Sequence, residues 1–210
     1  MKKNNSSEDI FSFENTATKE NIKKNSDLVN IGAGMFSETD IDHIEWPAGV
    51  ESVGHDAFAH CGLLETVQIP DTVVEVGERA FIECILLHSI SFSKNMKEIP
   101  SGCCAECLAL EEIAIPSNIK TIGYSAFVKC LSLKNVHIPE GVERIEDEAF
   151  SFCHQLETIT LPASLTNMGE NVFYMCDELK EIIVPKDCKE RFTVLMPEWK
   201  DIIKESDGLM

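Results

Sequence analysis

The repeating unit of this chain is clearest in the stretch Ile115-Pro-Ser-Asn-Ile-Lys-Thr-Ile-Gly-Tyr-Ser-Ala-Phe-Val-Lys-Cys-Leu-Ser-Leu-Lys-Asn-Val-His137. The next unit starts 23 residues after the first, at Ile138-Pro139, and it keeps the apolar residues in register while the polar residues vary. A repeat of this length, with constant apolar positions, is typical of a solenoid in which each unit forms one coil and buries its apolar side against its neighbours.

Three features recur at this spacing through the chain. Proline recurs at Pro47, Pro70, Pro116, Pro139, Pro162 and Pro185, and Ser93 replaces it once. Cysteine recurs without exception, at Cys61, Cys84, Cys107, Cys130, Cys153 and Cys176. An Ala-Phe pair precedes the cysteine in four units, and the third and sixth units carry Cys103-Cys104 and Val172-Phe173 instead. Six periods without an insertion predict six regular coils.

Within one unit, the apolar spacing changes from one segment to the next. Val67 and Ile69 are two residues apart and precede Pro70, which predicts a short strand that ends at the proline. The segment Gly-x-x-Ala-Phe-x-x-Cys-x-x-Leu has apolar residues three and four apart, which predicts helical turns. We therefore expect an α/β solenoid with a parallel sheet on one face and short helices on the other.

The pattern resembles the leucine-rich repeats of the BspA-like, treponemal-type subfamily. The residues that carry the resemblance are Leu133-x-x-Val136-x-Ile138-Pro139 and Ile145-x-x-x-Ala149-Phe150-x-x-Cys153-x-x-Leu156, and similar positions occur from about residue 31 to residue 185. The resemblance implies a right-handed leucine-rich-repeat solenoid whose parallel sheet lines the concave, ligand-facing side, with the short helices on the convex side. It also implies a role in adhesion or protein binding.

The repeat pattern predicts four parts of the chain. Residues 1–28 are polar with scattered apolar residues, and we expect a flexible arm. Residues 29–45 form a degenerate N-terminal repeat, and residues 46–185 form about six full repeats. In residues 186–210 the 23-residue pattern fails and apolar residues recur at helical spacing, interrupted by Pro197. This last part is expected to be a helical cap over the final coil.

Charge and composition exclude several classes of function. The net charge is −18, and from Asn25 to Glu78 the chain has eleven carboxylates and no lysine or arginine. Such a surface repels nucleic acid and anionic lipid, so we expect no direct contact with nucleic acid or membrane. The expected partner is a protein, and a partner with a basic surface would complement the charge. We expect a monomer. The chain shows no signal peptide, which indicates a cytoplasmic location; the alternative is secretion or the cell surface, if a leader peptide has been removed.

The nine cysteines and six histidines raise the alternatives of a disulfide framework, a redox pair or a metal site. Six of the cysteines hold one recurring apolar position, where a reduced cysteine serves as a small hydrophobic residue. Cys104 and Cys107 form a Cys-x-x-Cys, but they fall on the phenylalanine and cysteine positions of the repeat. We therefore expect no metal or cofactor, and a third coil that is underfilled at Cys104, so that Cys104→Phe should raise stability.

The chain contains no phosphate-binding loop, nucleophile elbow or His-Glu-x-x-His motif, so we expect a protein that is not an enzyme. The variable positions of the repeat mark the candidate binding surface, because the constant positions build the core. The predicted partner-binding residues are Thr66, Gln68, Ser89, Ser91, Glu112, Asn135, His137, Thr158, Thr160 and Glu181. They are polar and include no aromatic residue or arginine, the types that most often anchor tight interfaces.

The function predicted from the sequence is a non-enzymatic protein-binding module that presents a polar sheet face and an acidic N-terminal surface. One alternative is an acidic decoy or inhibitor that occupies the basic nucleic-acid-binding channel of another protein, and the stretch without lysine or arginine is its support. Binding as a decoy would collapse at high salt, whereas binding at the sheet face would fade slowly. An enzyme or a metalloprotein is the other alternative.

Overall fold

Two faces of short parallel strands, joined by turns, make up most of the described part of the chain. The structure is a computed structural model and describes residues 29–206. The long-strand face contains β3 (Thr66–Gln68), β5 (Ser89–Ser91), β7 (Glu112–Ala114), β9 (Asn135–His137), β11 (Thr158–Thr160), β13 (Glu181–Pro185) and β14 (Ile203–Ser206). The short-strand face contains β1 (Asn30–Ile31), β2 (Ser52–Val53), β4 (Glu75–Val76), β6 (Glu98–Ile99), β8 (Thr121–Ile122), β10 (Arg144–Ile145) and β12 (Asn167–Met168). Every pairing between these strands is parallel, as expected of a leucine-rich-repeat solenoid.

The long-strand face forms where the two-residue spacing predicts strands. In β3 the middle residue, Val67, is buried, while Thr66 and Gln68 on either side of it are exposed. The buried residues stack in register from coil to coil, as Val67 opposite Ile90 shows. The proline after the strand ends it, since proline has no N–H for the ladder. The strand prediction is therefore confirmed.

The segment between the two strands of a coil consists of turns, which corrects the prediction of short helices on that side. Ala57 donates its N–H to Gly54, three residues back, but the N–H groups of Phe58 and His60 reach carbonyls of the next coil. Asp56 and His60 adopt left-handed backbone conformations, with φ of 54° and 58°. A left-handed residue interrupts a right-handed helix, and the same pair of positions is left-handed in every coil from Gly34 and Glu38 to Asn171 and Met175. Turns of three residues space apolar side chains much as a helix does.

The core is a column of phenylalanines beside a column of cysteines. Adjacent rings are stacked, and the centroid distance is 5.3 Å for Phe58–Phe81 and for Phe127–Phe150. Each ladder cysteine donates its thiol to the carbonyl of the phenylalanine position one coil earlier, as Cys153 does to Phe127 at 3.2 Å. These six contacts measure between 3.0 and 3.3 Å. The predicted role of the cysteines as core residues is confirmed, and the thiol adds a hydrogen bond that the repeat pattern did not show.

All nine cysteines are unpaired, and eight of them are buried. Burial raises the pKa of Cys176 to about 12 and raises that of Cys153 still further, because a thiolate is poorly solvated inside the core. These thiols therefore remain protonated and can act as donors. The Cys-x-x-Cys cysteines, Cys104 and Cys107, are fully buried within this column.

The third coil fills its core differently from the others, which corrects the prediction of an underfilled coil. Cys104 interrupts the column of rings, but Phe92 replaces the smaller aliphatic residue of the strand side and packs edge-on to Phe127, at 6.3 Å. Met96, which is 1% exposed, stands where the neighbouring coils have Val73 and Ile119. Volume lost at Cys104 is thus supplied from the opposite side of the coil.

The same coil interrupts the short-strand face. β1, β2 and β4 form one ladder, and β6, β8, β10 and β12 form another. Between coils on either side of the gap, the residue after the short strand donates its N–H to the previous coil, as Gly77 does to Val53 and Gly123 does to Ile99. Pro100 occupies this position in the third coil and has no N–H to donate, so β4 and β6 do not pair.

The C-terminal segment forms helices where helical spacing predicts them, and then it adds a strand. Helix α1 (Lys189–Leu195) and a 3₁₀ helix (Pro197–Ile202) are separated at the predicted proline. Phe192 is fully buried, and Trp199 packs edge-on to Phe173 at 6.1 Å. β14 then pairs in parallel with β13. The segment therefore extends the sheet by one strand. The edge of β13 is covered by this added strand, and not by a helix as the predicted cap would have it.

We predict that Cys104→Phe lowers stability by about 1–3 kcal/mol, because Phe92 and Met96 already occupy the volume that the new ring needs. Phe92→Ile in the same chain makes room for the ring and should recover most of the loss. Urea unfolding of the two single variants and the double variant gives the coupling free energy. Additive effects of the two substitutions would contradict this account of the third coil.

A second prediction concerns the C-terminal segment. Phe192→Ala should lower the free energy of unfolding by about 3–5 kcal/mol, because the ring is fully buried against the last coil. Val194→Ala in the same helix is the control, since Val194 is 79% exposed and its loss should cost less than about 0.5 kcal/mol. Equal, small effects of the two variants would show that α1 does not belong to the cooperative core.

Candidate functional site

The ten predicted binding residues all lie on the long-strand face, in two groups. In the first group, Thr66, Ser89 and Glu112 are in register, and so are Gln68, Ser91 and Ala114. In the second group, Asn135, Thr158 and Glu181 are in register, and so are His137, Thr160 and Ile183. Thr66, Gln68, Glu112, Asn135 and His137 are exposed; Ser89, Ser91, Thr158, Thr160 and Glu181 are half-buried. The structure therefore places them on one surface, as two neighbouring patches.

The two patches are separated by an opening in the ladder. β3, β5 and β7 form one sheet, and β9, β11, β13 and β14 form another. On either side of the opening, the residue after a strand donates its N–H to the next coil: Phe92 donates to Ala114 and Ile138 donates to Thr160. The equivalent bond from Ile115 to His137 is not formed, and no backbone hydrogen bond joins β7 to β9 in the described chain. Backbone polar groups are therefore left available at the opening.

A shallow depression with a volume of about 650 Å³ lies at this place, across the carboxyl ends of four long strands. Its floor includes Ile113 and Ile115, which are half-buried, whereas the equivalent Val67 and Ile69 are buried. Ala114, which also lines the depression, is small, and His137 lines it from the next strand. An apolar floor with polar groups at its margin suits a partner side chain of moderate size.

The margin of the depression combines polar side chains with rigid prolines. Gln68 and His137 offer donors and acceptors at opposite ends, and Pro70 and Pro116 line its edge. Lys94 lies 3.6 Å from Asp71 at the same edge, so its charge is partly neutralised. The arrangement can accept an apolar side chain and hydrogen-bond the backbone beside it.

Charges near the two patches differ. Glu112 in the first patch forms no ion pair within the described residues, whereas Glu181 in the second patch is paired with Lys204 at 2.5 Å. Lys204 stands on β14, in register with Ile183, and so it extends the second patch. Sequence reasoning missed Lys204 because the repeat pattern ends before β14. The only signal for β14 in the sequence is the alternation of apolar and polar residues around Ile203.

The predicted acidic N-terminal surface is neutralised at one point by the following coil. Arg79 contacts Asp56 with two hydrogen bonds of 2.9 Å. These bonds hold the pKa of Asp56 below its usual value. Such a pair, with one partner in each of two coils, joins neighbouring coils at their surface.

Within residues 29–206, no group of three or more His, Cys, Asp or Glu side chains is arranged to hold a metal ion. His55 and His60, at the two ends of the first coil's turn, are exposed to solvent, whereas Cys61 is buried. No helix among the described residues is long and apolar enough to span a membrane. The predicted arm, residues 1–28, lies outside the described residues.

Stacked coils with a short parallel strand, a proline after it and a buried ladder of apolar residues define a leucine-rich-repeat solenoid. The family model of the BspA type leucine rich repeat region, with six copies, matches residues 9–134 and 121–193. The chain therefore belongs to the BspA-type leucine-rich repeat family, which confirms the resemblance seen in the sequence.

Solved structures agree with this assignment. A leucine-rich repeat protein from Bacteroides ovatus is 27% identical, with a TM-score of 0.74, over 86% of this chain and 46% of its own. The leucine-rich repeat protein of T. pallidum is 24% identical, with a TM-score of 0.56, over 87% of each chain, and it supports the fold alone. This chain spans about half the length of the Bacteroides ovatus structure. No curated protein matches the chain.

Proposed function

We propose that the protein is a non-enzymatic binding module that holds a segment of a protein partner across its long-strand face. The observation that carries the proposal is the depression across the carboxyl ends of β3, β5, β7 and β9, which is lined by predicted binding residues and reaches the only opening in the long-strand ladder of the described chain, between β7 and β9. Gln68, Ser91 and His137 line it. Membership of a leucine-rich repeat family supports the same class of function, and the family resemblance extends the proposal to adhesion.

The depression suggests how a partner is held. An apolar side chain of the partner rests on Ile113 and Ile115, whose exposed surface it removes from water. The neighbouring partner backbone bonds to the N–H of Ile115 and the carbonyl of His137, which lack the bond found between other coils. Main-chain bonds combined with a side-chain pocket resemble the way in which extended peptides bind at sheet edges.

Charge gives the contact a preference of sign. Glu111 and Glu112 are both exposed beside the opening, and neither forms an ion pair in the described structure. A basic residue next to the partner's apolar side chain would neutralise them. We propose an extended segment with one apolar anchor and a neighbouring lysine or arginine as the preferred partner.

The strength expected of this site is modest. The face offers no tyrosine, tryptophan or arginine as an anchor, and a few such residues supply most of the free energy in tight interfaces. The long-strand face also contributes mostly small or polar groups. A partner that contacted both patches would bind more tightly than one that contacted the depression alone.

The test uses a displayed library of random 12-mer peptides, selected on the purified protein. Selected peptides should lose at least about ten-fold in affinity for Ala114→Trp, because the indole fills the depression. Ala163→Trp is the matched control, since Ala163 is also exposed but lies in a loop away from the opening. The joint substitution of Glu112, Asn135, His137 and Thr158 by alanine should weaken the same peptides, with an unchanged melting temperature.

Selected peptides that bind Ala114→Trp as well as they bind the unaltered protein would contradict the proposed site. The salt dependence gives an independent check. Binding at the depression depends in part on apolar contact and should fade slowly as salt rises, whereas an acidic decoy would lose its ligand steeply.

A further inference from the structure

A second exposed surface, at a different corner of the coil, consists of large aliphatic side chains. Leu63, Ile85, Leu86 and Leu108 are 46%, 46%, 41% and 39% exposed. They lie between the ladder cysteine and the buried leucine of the Cys-x-x-Leu segment, on three successive coils. We call these four residues the leucine corner.

Backbone hydrogen bonds on both sides of the corner show that its members are stacked. Phe58 donates to Ala80 and Phe81 donates to Cys103 on one side. His88 donates to Glu65 and Glu111 donates to His88 on the other. Successive coils are therefore in register through the corner, and a Cβ added at Gly62 would lie 3.8 Å from Ile85. The leucine corner is one continuous apolar ridge along the stack.

The fold itself does not require apolar residues at this corner. The two variable residues of Cys-x-x-Leu are Gly62-Leu63, Ile85-Leu86, Leu108-Ala109, Leu131-Ser132, His154-Gln155 and Asp177-Glu178, in chain order. The last two coils keep the same turn and the same buried leucine with polar residues in both places. Leu156 and Leu179 remain buried there. The turn therefore does not need the exposed aliphatic residues found in coils one to three, and a contact with a partner is the usual role of such a patch.

Acidic residues lie on both sides of the ridge. Glu65 and Glu111 follow it in the chain, are exposed and form no ion pair in the described structure. Glu83 and Glu106 precede it; Glu83 lies 3.2 Å from a ring nitrogen of His60, and Glu106 is paired with Lys129 at 2.7 Å. A surface with an apolar centre and acidic margins is complementary to an apolar stripe with basic margins.

We propose that the leucine corner is a docking surface for a basic amphipathic helix of a protein partner, distinct from the site on the long-strand face. A second copy of this chain is disfavoured, because ridge-to-ridge contact would bring the same acidic rows together. The surface area of four partly exposed side chains also falls well below the roughly 800 Å² that each partner buries in a stable interface. A short helix presenting residues at i, i+3, i+4 and i+7 covers such a ridge.

The probe is a fluorescein-labelled synthetic peptide that contains Leu-Lys-Lys-Leu-Leu-Lys-Leu three times in succession, and its binding is measured by anisotropy at physiological salt. A peptide of the same composition, scrambled so that its leucines do not share one helical face, reports attraction by charge alone. The amphipathic peptide should bind more tightly than the scrambled one.

Matched variants locate the binding. Leu86→Ser with Leu108→Ser should weaken the amphipathic peptide at least about ten-fold, because the apolar contact is lost. Val74→Ser with Val194→Ser removes two exposed aliphatic residues outside the corner, which are 55% and 79% exposed, and should change the affinity by less than about two-fold. His154→Leu with Gln155→Leu extends the ridge by one coil and should strengthen binding. Ala114→Trp should leave the peptide unaffected, because that substitution blocks only the other site.

Three results would overturn the proposal. Equal affinity of the unaltered protein and the Leu86→Ser, Leu108→Ser variant would remove the corner from the contact. A dimer in sedimentation that this variant abolishes would assign the ridge to a second copy of the chain. Co-sedimentation with phosphatidylcholine vesicles that depends on Leu86 and Leu108 would assign it to a lipid surface.

Discussion

The hydrogen bonds between successive coils are the constraint on which the rest of the structure depends. The phenylalanine position of one coil donates its N–H to the next coil, as Phe127 does to Ala149, and its carbonyl accepts the thiol of Cys153. Both bonds lie inside the core, where an unpaired polar group costs much more than it does in water. A shift of register by one residue would leave these groups unpaired along the whole stack. This is why the 23-residue spacing admits no insertion, and why polar variation is confined to the surface.

The third coil shows how a change in the core reaches the surface. Cys104 removes one ring from the phenylalanine column, Phe92 restores the volume from the strand side, and Pro100 removes one bond between coils. The short-strand ladder is interrupted just before this coil, and the long-strand ladder is interrupted just after it. The depression proposed as the binding site lies across the ends of β3, β5 and β7 and reaches the second interruption at His137. Both interruptions and the depression thus adjoin the irregular coil of an otherwise regular stack.

The two proposed surfaces suit different kinds of partner segment. The depression combines unpaired backbone groups with a small apolar floor, and so it suits an extended segment. The leucine corner is instead a ridge of apolar side chains, and bonds between coils continue on both sides of it, so it suits a partner that has satisfied its own backbone, such as a helix. Both have acidic margins, and the net charge of −18 favours basic partners at either surface. One chain could thus hold two segments of a partner at once.

The amino-acid sequence by itself determined the period, the strands and the core. Buried positions such as Val136 and Cys153 recur at a spacing that only a stack explains, and so do the polar positions left for binding. The apolar spacing of the turns predicts helices, because three-residue turns and helices place apolar residues at similar intervals. The left-handed conformation of residues such as Asp56 and His60 has no signal in the identity of their side chains. The tertiary structure alone decided where the ladder opens, how Phe92 compensates for Cys104, and that β14 extends the sheet. Each of these depends on contacts between residues of different coils. A repeat pattern read along the chain does not show which side chains fill a shared volume in the core, or which backbone groups of different coils form hydrogen bonds.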